Sequence, residues 1–485
     1  MIEEKLSSRF LKGIVSTGVG TLATIVFSLI GIMIAVRYVS KEELGTYILV
    51  LTIVGSIDLI ADLGTNISTI KNLACCNHDK RKHIVSTIFL YKLAVASLIC
   101  VLIFTTYKIL NMFSFKFDYQ EFIYYSMVLL VLESLNTLFN AILQGYQKFK
   151  NMAFAKIILS GANCLFIVAL ICYYHLGVVG LLFTRMISLF LVLIYQLIIL
   201  RTEIRFEFNR EVIRKILGFG LPLGLNNILS FIFLRLDTLM IGYFLNPMSV
   251  ALYGIATKIP DAARQMFDAF GSVFFPNMSE LFSLKKLNDA EAIMNNSLRI
   301  ISFITVFIAL NIHLFQNFIV KTLFSVNYIE SAPVLSLLML VLSIGLIGNI
   351  IGTSLVAAGH SRLPFIINIV DTVTTLTANL LLIPRYGVMG SAYAALISRV
   401  ITNPVNVFFL KRNKIRVDVY CYIKPICVYL FCICVNKLFN NNHIAISILV
   451  SCLYIALNYL LKVIRHEDYV QLMYGLNKQP AKGLV

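Results

Sequence analysis

Apolar runs of about 20 residues or more, the length a helix needs to cross roughly 30 Å of hydrocarbon, recur along the chain from residue 11 to residue 464. Short polar or glycine- and proline-bearing stretches separate them. The pattern predicts about fourteen helices, near 11–37, 44–70, 83–107, 119–144, 152–173, 177–200, 213–244, 249–281, 291–322, 331–358, 362–384, 388–410, 419–438 and 443–463. The apolar–polar alternation that marks a membrane barrel is missing. The expected fold is therefore an all-α polytopic membrane protein.

The polar gaps are not equivalent. Basic residues collect at the N-terminus (Lys5, Arg9, Lys12) and in every second gap, as in Lys80–Arg81–Lys82, Lys148 with Lys150, Arg201 with Arg205, Lys285–Lys286 and "KRNKIR" at 411–416. The gaps between these are mostly short and nearly neutral. The positive-inside rule then predicts that both termini are cytoplasmic, which requires an even number of spans.

Two stretches of the second half echo the first. "IAVRYVSKEELGTYILVLTI" (34–53) aligns with "MIGYFLNPMSVALYGIATKI" (240–259), and "LGVVGLLFTRMIS" (176–188) with "YGVMGSAYAALIS" (386–398). The unit of repeat is six spans. An even repeat keeps both copies the same way up, so two six-helix lobes are expected to be related by a pseudo-two-fold axis along the membrane normal, with a cavity between them. The expected organisation is residues 1–205, 206–412 and a final segment, 413–485, that adds two helices and a tail.

Composition agrees: 59% of the 485 residues are hydrophobic and only 13% charged. The net charge of +17 is distributed as topology demands, without the aromatic-interleaved basic domain of a nucleic-acid binder. Ten cysteines show neither zinc-ligand spacing nor the density of a disulfide scaffold and read as free thiols. Seven scattered histidines offer neither a metal site nor a triad, and "GVG" (18–20) and "GFG" (218–220) lie in apolar helices, where they cannot cradle phosphate. No cofactor or enzymatic activity is expected.

Charges inside the spans carry the chemistry. Away from span ends lie nine cations, Lys92, Lys156, Arg185, Arg235, Lys258, Arg264, Arg299, Arg399 and Lys424, and the acids Asp58, Asp62, Glu133, Asp237, Asp261, Asp268 and Asp371. Each costs about 2.5–3.5 kcal/mol at a helix centre and must face water, a partner or a ligand. At about 100° per residue, Lys258, Asp261, Arg264, Gln265 and Asp268 form one stripe. Asp58, Asp62 and Asn66 form another, and Asp371, Thr375 and Asn379 a third. Thr17, Gly20, Thr24 and Gly31 make a small-residue stripe that fits either a cavity wall or a close helix contact. The stripes describe a hydrated cavity with an excess of positive charge, suited to a phosphate or diphosphate. The plainer alternatives are an i,i+3 pair between Asp261 and Arg264 and snorkelling of Lys92, Arg299 and Lys424 to the headgroups. Arg235 and Asp237, two residues apart, point about 160° away from each other and cannot line one cavity from a straight helix.

The basic N-terminus, "GSIDLIADLG" (55–64), "LQGYQKFKNMAFAKI" (143–157), "GFGLPLGLNNILSFIFLRLDTLMIGYFL" (218–245) and "AAGHSRLPFIINIVDTVTTLTANLLLIPRYGVMGSAYAALIS" (357–398) resemble, in order and spacing, the polysaccharide-transport branch of the multidrug/oligosaccharidyl-lipid/polysaccharide exporter superfamily. These are the Wzx-type O-antigen and capsule flippases. The resemblance implies alternating access that moves an undecaprenyl-diphosphate-linked oligosaccharide across a bacterial inner membrane. It further implies a polysaccharide polymerase and a chain-length regulator as partners, besides membrane lipids. It points to Lys258, Arg264 and Arg235 for the anionic substrate and to Asp58, Asp62, Glu133 and Asp237 for ion coupling or the cavity wall; as further charges inside the spans, Arg185 and Arg399 join the first set and Asp371 the second. A lipid II flippase and a multidrug antiporter of the same superfamily are the neighbouring alternatives; a membrane-embedded polymerase or a non-transporting scaffold is the alternative of another class.

Overall fold

The computed structural model describes residues 2–75, 78–112, 122–203, 207–360, 362–439 and 444–463. Every regular element among them is helical. The chain divides into two compact units, residues 1–255 with 323–325 and residues 256–322 with 326–485. Eleven helices of the described residues are long and apolar enough to cross a membrane, and Pro247–Ala256 and Ile444–Leu460 are shorter apolar helices. Eight cysteines are free thiols, while Cys76 and the tail beyond Val463 lie outside the described residues.

The first unit comprises α1 (Ile2–Tyr38), α2 (Lys41–Asp62), α3 (Thr65–Cys75), α4 (His78–Met112), α5 (Ile123–Gly145), α6 (Phe149–Ile167, continued by a π-helical stretch Val168–Tyr173), α7 (Gly177–Leu200), α8 (Arg210–Phe244) and α9 (Pro247–Ala256). Ser40 starts α2 with a reciprocal cap: its hydroxyl accepts from the Glu43 N–H, and the Glu43 carboxylate accepts from the Ser40 N–H. α1 packs on α6 and α6 on α7, while α3 and α4 pack on α5. A Cβ placed on Gly20 would lie 2.9 Å from the Ala153 backbone, so the small-residue stripe of α1 is a close helix contact with α6 rather than a cavity wall.

The span expected at 44–70 is two helices. Leu63 takes left-handed backbone at φ 45° and Gly64 follows at φ 75°. α8 passes this break at backbone contact: a Cβ on Gly64 would lie 2.0 Å from the Gly220 carbonyl oxygen and 2.7 Å from the Gly224 nitrogen. Only glycine meets both the dihedral and the approach. α8 and α9, which the repeat groups with the second copy, thus belong to the same compact unit as α2 and α3.

The second unit holds α10 (Lys258–Ser283), α11 (Leu287–Leu323), a 3₁₀ stretch (Val326–Ser331), α12 (Ala332–Ala357), α13 (Arg362–Tyr386), α14 (Val388–Arg412), α15 (Tyr420–Leu438) and α16 (Ile444–Leu460). The span expected at 249–281 is broken as well, with a turn at Thr257. The cause is Pro260, whose ring clashes with the carbonyl four residues back, that of Ala256, and which has no N–H to bond it. α13 pairs with α14, and α14 with α12. A core of Met278, Met294, Leu298, Ile347, Ile351, Leu355 and Leu410 fills the space between α10, α11, α12 and α14.

Outward faces are apolar in both units: Leu102, Leu165, Phe190 and Ile198 in the first and Phe408, Leu438, Leu449 and Leu460 in the second are all more than half exposed. A water-soluble protein does not sustain such a surface. In hydrocarbon it is the solvent-facing surface, with backbone polar groups satisfied inside the helices.

Candidate functional site

The break in α2 places its last residue at a junction. Asp62 Oδ1 accepts from the Thr65 hydroxyl at 2.8 Å and from the Asn66 N–H at 3.2 Å, so it caps the first turn of α3. The same oxygen receives Lys92 Nζ of α4 at 2.8 Å. Lys92 is 0% exposed, and its ammonium also lies 3.9 Å from Asp58, one turn earlier on α2. Asp58 accepts further from the Thr137 hydroxyl of α5 at 3.4 Å, while its other oxygen is buried and accepts no hydrogen bond among the described residues.

Beside this cluster stands a second pair. Glu133 of α5 accepts from Arg185 of α7, whose Nε lies 2.8 Å from Oε1 and whose Nη2 bonds the same oxygen. Asp58, Asp62, Asn66, Glu133, Thr137 and Arg185 line a cavity of about 420 Å³ within the first unit. Its walls carry three carboxylates against two cations, Arg185 and the adjoining Lys92. The cluster is thus held together by charge pairing and carries one carboxylate in excess. Behind it Gln196 Nε2 donates to Asn136 at 3.3 Å and to Asn140 at 3.2 Å, a second buried polar layer.

The second unit has its own pair. Asp371 of α13 is 4% exposed and receives Arg399 Nη1 of α14 at 3.1 Å, together with the Ser398 hydroxyl on its other oxygen. Gly345 of α12 makes room for the guanidinium, since a Cβ there would lie 3.2 Å from Arg399 Nε. Asn379, two turns along α13, is fully buried with neither side-chain polar atom bonded among the described residues.

Of the residues singled out in the sequence, the structure brings Asp58, Asp62, Glu133 and Arg185 to one cavity and Asp371 to Arg399. It separates the others. Arg235 is exposed, whereas Asp237 accepts a hydrogen bond from the Tyr253 hydroxyl of α9, the two faces that helix geometry requires. Arg264 pairs with Asp261 at 3.5 Å, both about one-third exposed, and Lys258 opens α10 half-buried. Snorkelling fails for two of its three candidates. Lys92 lies near the middle of the span Arg81–Ile109 and is sealed from the surface, and Arg299 is 5% exposed. Lys424 instead donates to the Leu461 carbonyl at 3.1 Å, just past the end of α16. The depth of Lys92 in its apolar run was the signal that it needed a partner rather than a headgroup. The amides Asn136, Asn140 and Gln196 gave no signal, because a search for charges passes over them.

With this geometry in place, comparison with known proteins is informative. Residues 34–333 match a family described as polysaccharide biosynthesis protein. A Shigella flexneri relative named "Putative O-antigen transporter" is 25% identical over 373 residues, covering 73% of this chain and 87% of its own. Among solved structures, the lipid II flippase MurJ in an inward closed conformation superposes with a TM-score of 0.73 over 94% of this chain and 99% of its own, at 16% identity. An inward-facing multidrug resistance MATE family transporter of the MOP superfamily gives 0.66 over 82% and 99%, at 17% identity. At these identities the likeness is one of fold: the chain is folded as an all-helical protein like these two transporters.

Proposed function

The chain belongs to the polysaccharide biosynthesis protein family, and from that premise we propose that it is a flippase for an undecaprenyl-diphosphate-linked oligosaccharide, working by alternating access in a bacterial inner membrane with both termini cytoplasmic. The observation that carries the reading is the polar cavity of the first unit, in which Asp58, Asp62, Glu133 and Arg185 meet between helices whose outer faces are apolar. A scaffold has no use for ionised groups that cost about 2.5–3.5 kcal/mol each at that depth. The O-antigen transporter relative and the lipid II flippase fold support a lipid-linked glycan as the cargo. The reading is transport rather than catalysis, with a polysaccharide polymerase and a chain-length regulator as partners in that role.

The pairing found in the structure shapes the mechanism. Arg185 and Arg399 are each held by a carboxylate, so they engage an anionic headgroup only by exchanging Glu133 and Asp371 for it. Binding is then tied to rearrangement of α5 against α7 and of α13 against α14, because each pair joins those helices. Asp58, with one oxygen unbonded beside Lys92, is the acid we assign to ion coupling, with Asp62 fixed by its caps. Lys258 and Arg264, the latter in a pair that is one-third exposed, are the cations most readily turned toward a diphosphate. Lys258→Ala combined with Arg264→Ala is expected to abolish surface-polysaccharide assembly in a strain that depends on this protein while membrane insertion persists. Normal assembly in that strain would defeat the assignment.

A further inference from the structure

The cavity of the first unit, at about 420 Å³, falls inside the roughly 300–1,000 Å³ range of small-molecule sites. The donors in and beside it are largely committed. Arg185 gives both Nε and Nη2 to one oxygen of Glu133, and the adjoining Lys92 is held by Asp62 at 2.8 Å. The Thr137 hydroxyl donates to Asp58 at 3.4 Å.

Acceptors are left over. Asp58 is 8% exposed, and its Oδ1 takes no hydrogen bond among the described residues, with the Lys92 ammonium standing 3.9 Å away. Asn66 Oδ1, in the first turn of α3, is likewise buried and unbonded among the described residues. Both residues line the cavity, and Leu51, Val54 and Leu59 add apolar surface to it. Charge points the same way. Glu133 neutralises Arg185 and Asp62 neutralises Lys92, which leaves Asp58 as the carboxylate in excess. Buried acceptors are costly until a donor reaches them. An occupant that suits this wall brings donors and no negative charge; a phosphate or a carboxylate brings the reverse.

We propose that the first-unit cavity receives the sugar of the lipid-linked substrate rather than its diphosphate, and that it selects a sugar that is uncharged or amino-substituted against a carboxylated one. This selectivity rests on the flippase reading, which supplies the glycan cargo. Hydroxyl and acetamido N–H groups donate to Asp58 Oδ1 and Asn66 Oδ1, while the apolar face of a pyranose ring meets the aliphatic lining. An ammonium on the sugar adds a charge-assisted bond to the excess carboxylate. A uronic acid instead sets a second negative charge beside Asp58, where the low dielectric strengthens the repulsion. Sugar and coupling ion alternate on the same oxygen.

The test uses the full-length protein in phosphatidylcholine nanodiscs with tritiated undecaprenyl-diphosphate N-acetylglucosamine as probe, read by scintillation proximity, and unlabelled lipids as competitors. The glucosamine lipid should compete at least as well as the unlabelled probe. The glucuronic acid lipid, which carries the same diphosphate, should compete about tenfold worse, equivalent to roughly 1.4 kcal/mol. Asp58→Asn keeps the volume and an acceptor for Thr137 while removing the excess charge, and should cut that penalty to about threefold or less. Equal or better competition by the glucuronic acid lipid would overturn the selectivity while leaving the flippase reading intact. That comparison needs no variant, so it decides even where Asp58→Asn does not fold. A penalty unchanged in folded Asp58→Asn would overturn the placing of the sugar in this cavity. Failure of the unaltered protein to bind the probe would defeat the selectivity and the flippase reading together.

Discussion

Replacing Lys92 by methionine isolates the interaction on which the first cavity depends. Met keeps most of the side-chain volume and removes the charge. The ammonium is 0% exposed, 2.8 Å from Asp62 and 3.9 Å from Asp58. Without it those two carboxylates and Glu133 are left with Arg185 alone. Removing one partner of a buried pair costs about 3–5 kcal/mol. An independent ceiling comes from the escape open to the protein, protonation of one aspartate: from an ordinary pKa of about 3.9, holding the proton at pH 7 costs about 4 kcal/mol. The two figures agree. The second also sets a pH signature, because the cost of protonation falls by about 1.4 kcal/mol for each unit of acidification. Lys92→Met should therefore melt well below the unaltered protein at pH 7 and approach it toward pH 5. Thermal unfolding of the purified protein followed by circular dichroism reads both. Lys92→Met combined with Asp62→Asn removes the charge and its partner, and Asn can still cap α3; it should recover most of the loss. A Lys92→Met protein that melts normally at pH 7, or a double variant less stable than the single, would refute the reasoning.

Other positions give simpler outcomes. Gly64→Ala forces a Cβ into left-handed backbone, about 1–2 kcal/mol, and to within 2.0 Å of the Gly220 carbonyl; folded yield by gel filtration should collapse, and a normal yield would contradict the contact between the α2 break and α8. Arg399→Leu leaves Asp371 buried without its cation and should cost about 3–5 kcal/mol, with Asp371→Asn restoring most of the melting temperature; no recovery would mean that Arg399 acts through something other than this pair. A cysteine at Lys414 should react with an impermeant maleimide only when the reagent reaches the cytoplasm, and labelling from outside would reverse the topology.

The helical fold was legible because hydrocarbon imposes one requirement on every span: enough consecutive apolar residues, with the backbone satisfied internally. The breaks were harder to read. Pro260 lies inside the span expected at 249–281, which it divides, while Leu63 entering left-handed backbone has no composition cue, and Gly64 is decisive only once α8 lies against it. At the site, helical spacing correctly put Asp58 and Asp62 on one face and parted Arg235 from Asp237, since both are properties of a single helix. Which charges meet across helices is a property of packing. Nothing in the order of residues links Lys92 to Asp62, Arg185 to Glu133 or Arg399 to Asp371, three pairs that leave cations expected to be free for a substrate already engaged, each within its own unit.

Transport itself is the most direct measurement. Proteoliposomes carrying the purified protein and a fluorescent undecaprenyl-diphosphate oligosaccharide, quenched from outside by an impermeant reagent, report the lipid's access to both leaflets. The account predicts that lipid placed in the inner leaflet becomes quenchable in the presence of the unaltered protein and stays protected with Lys258→Ala/Arg264→Ala. Protection persisting with the unaltered protein, or identical exposure with both, would contradict it.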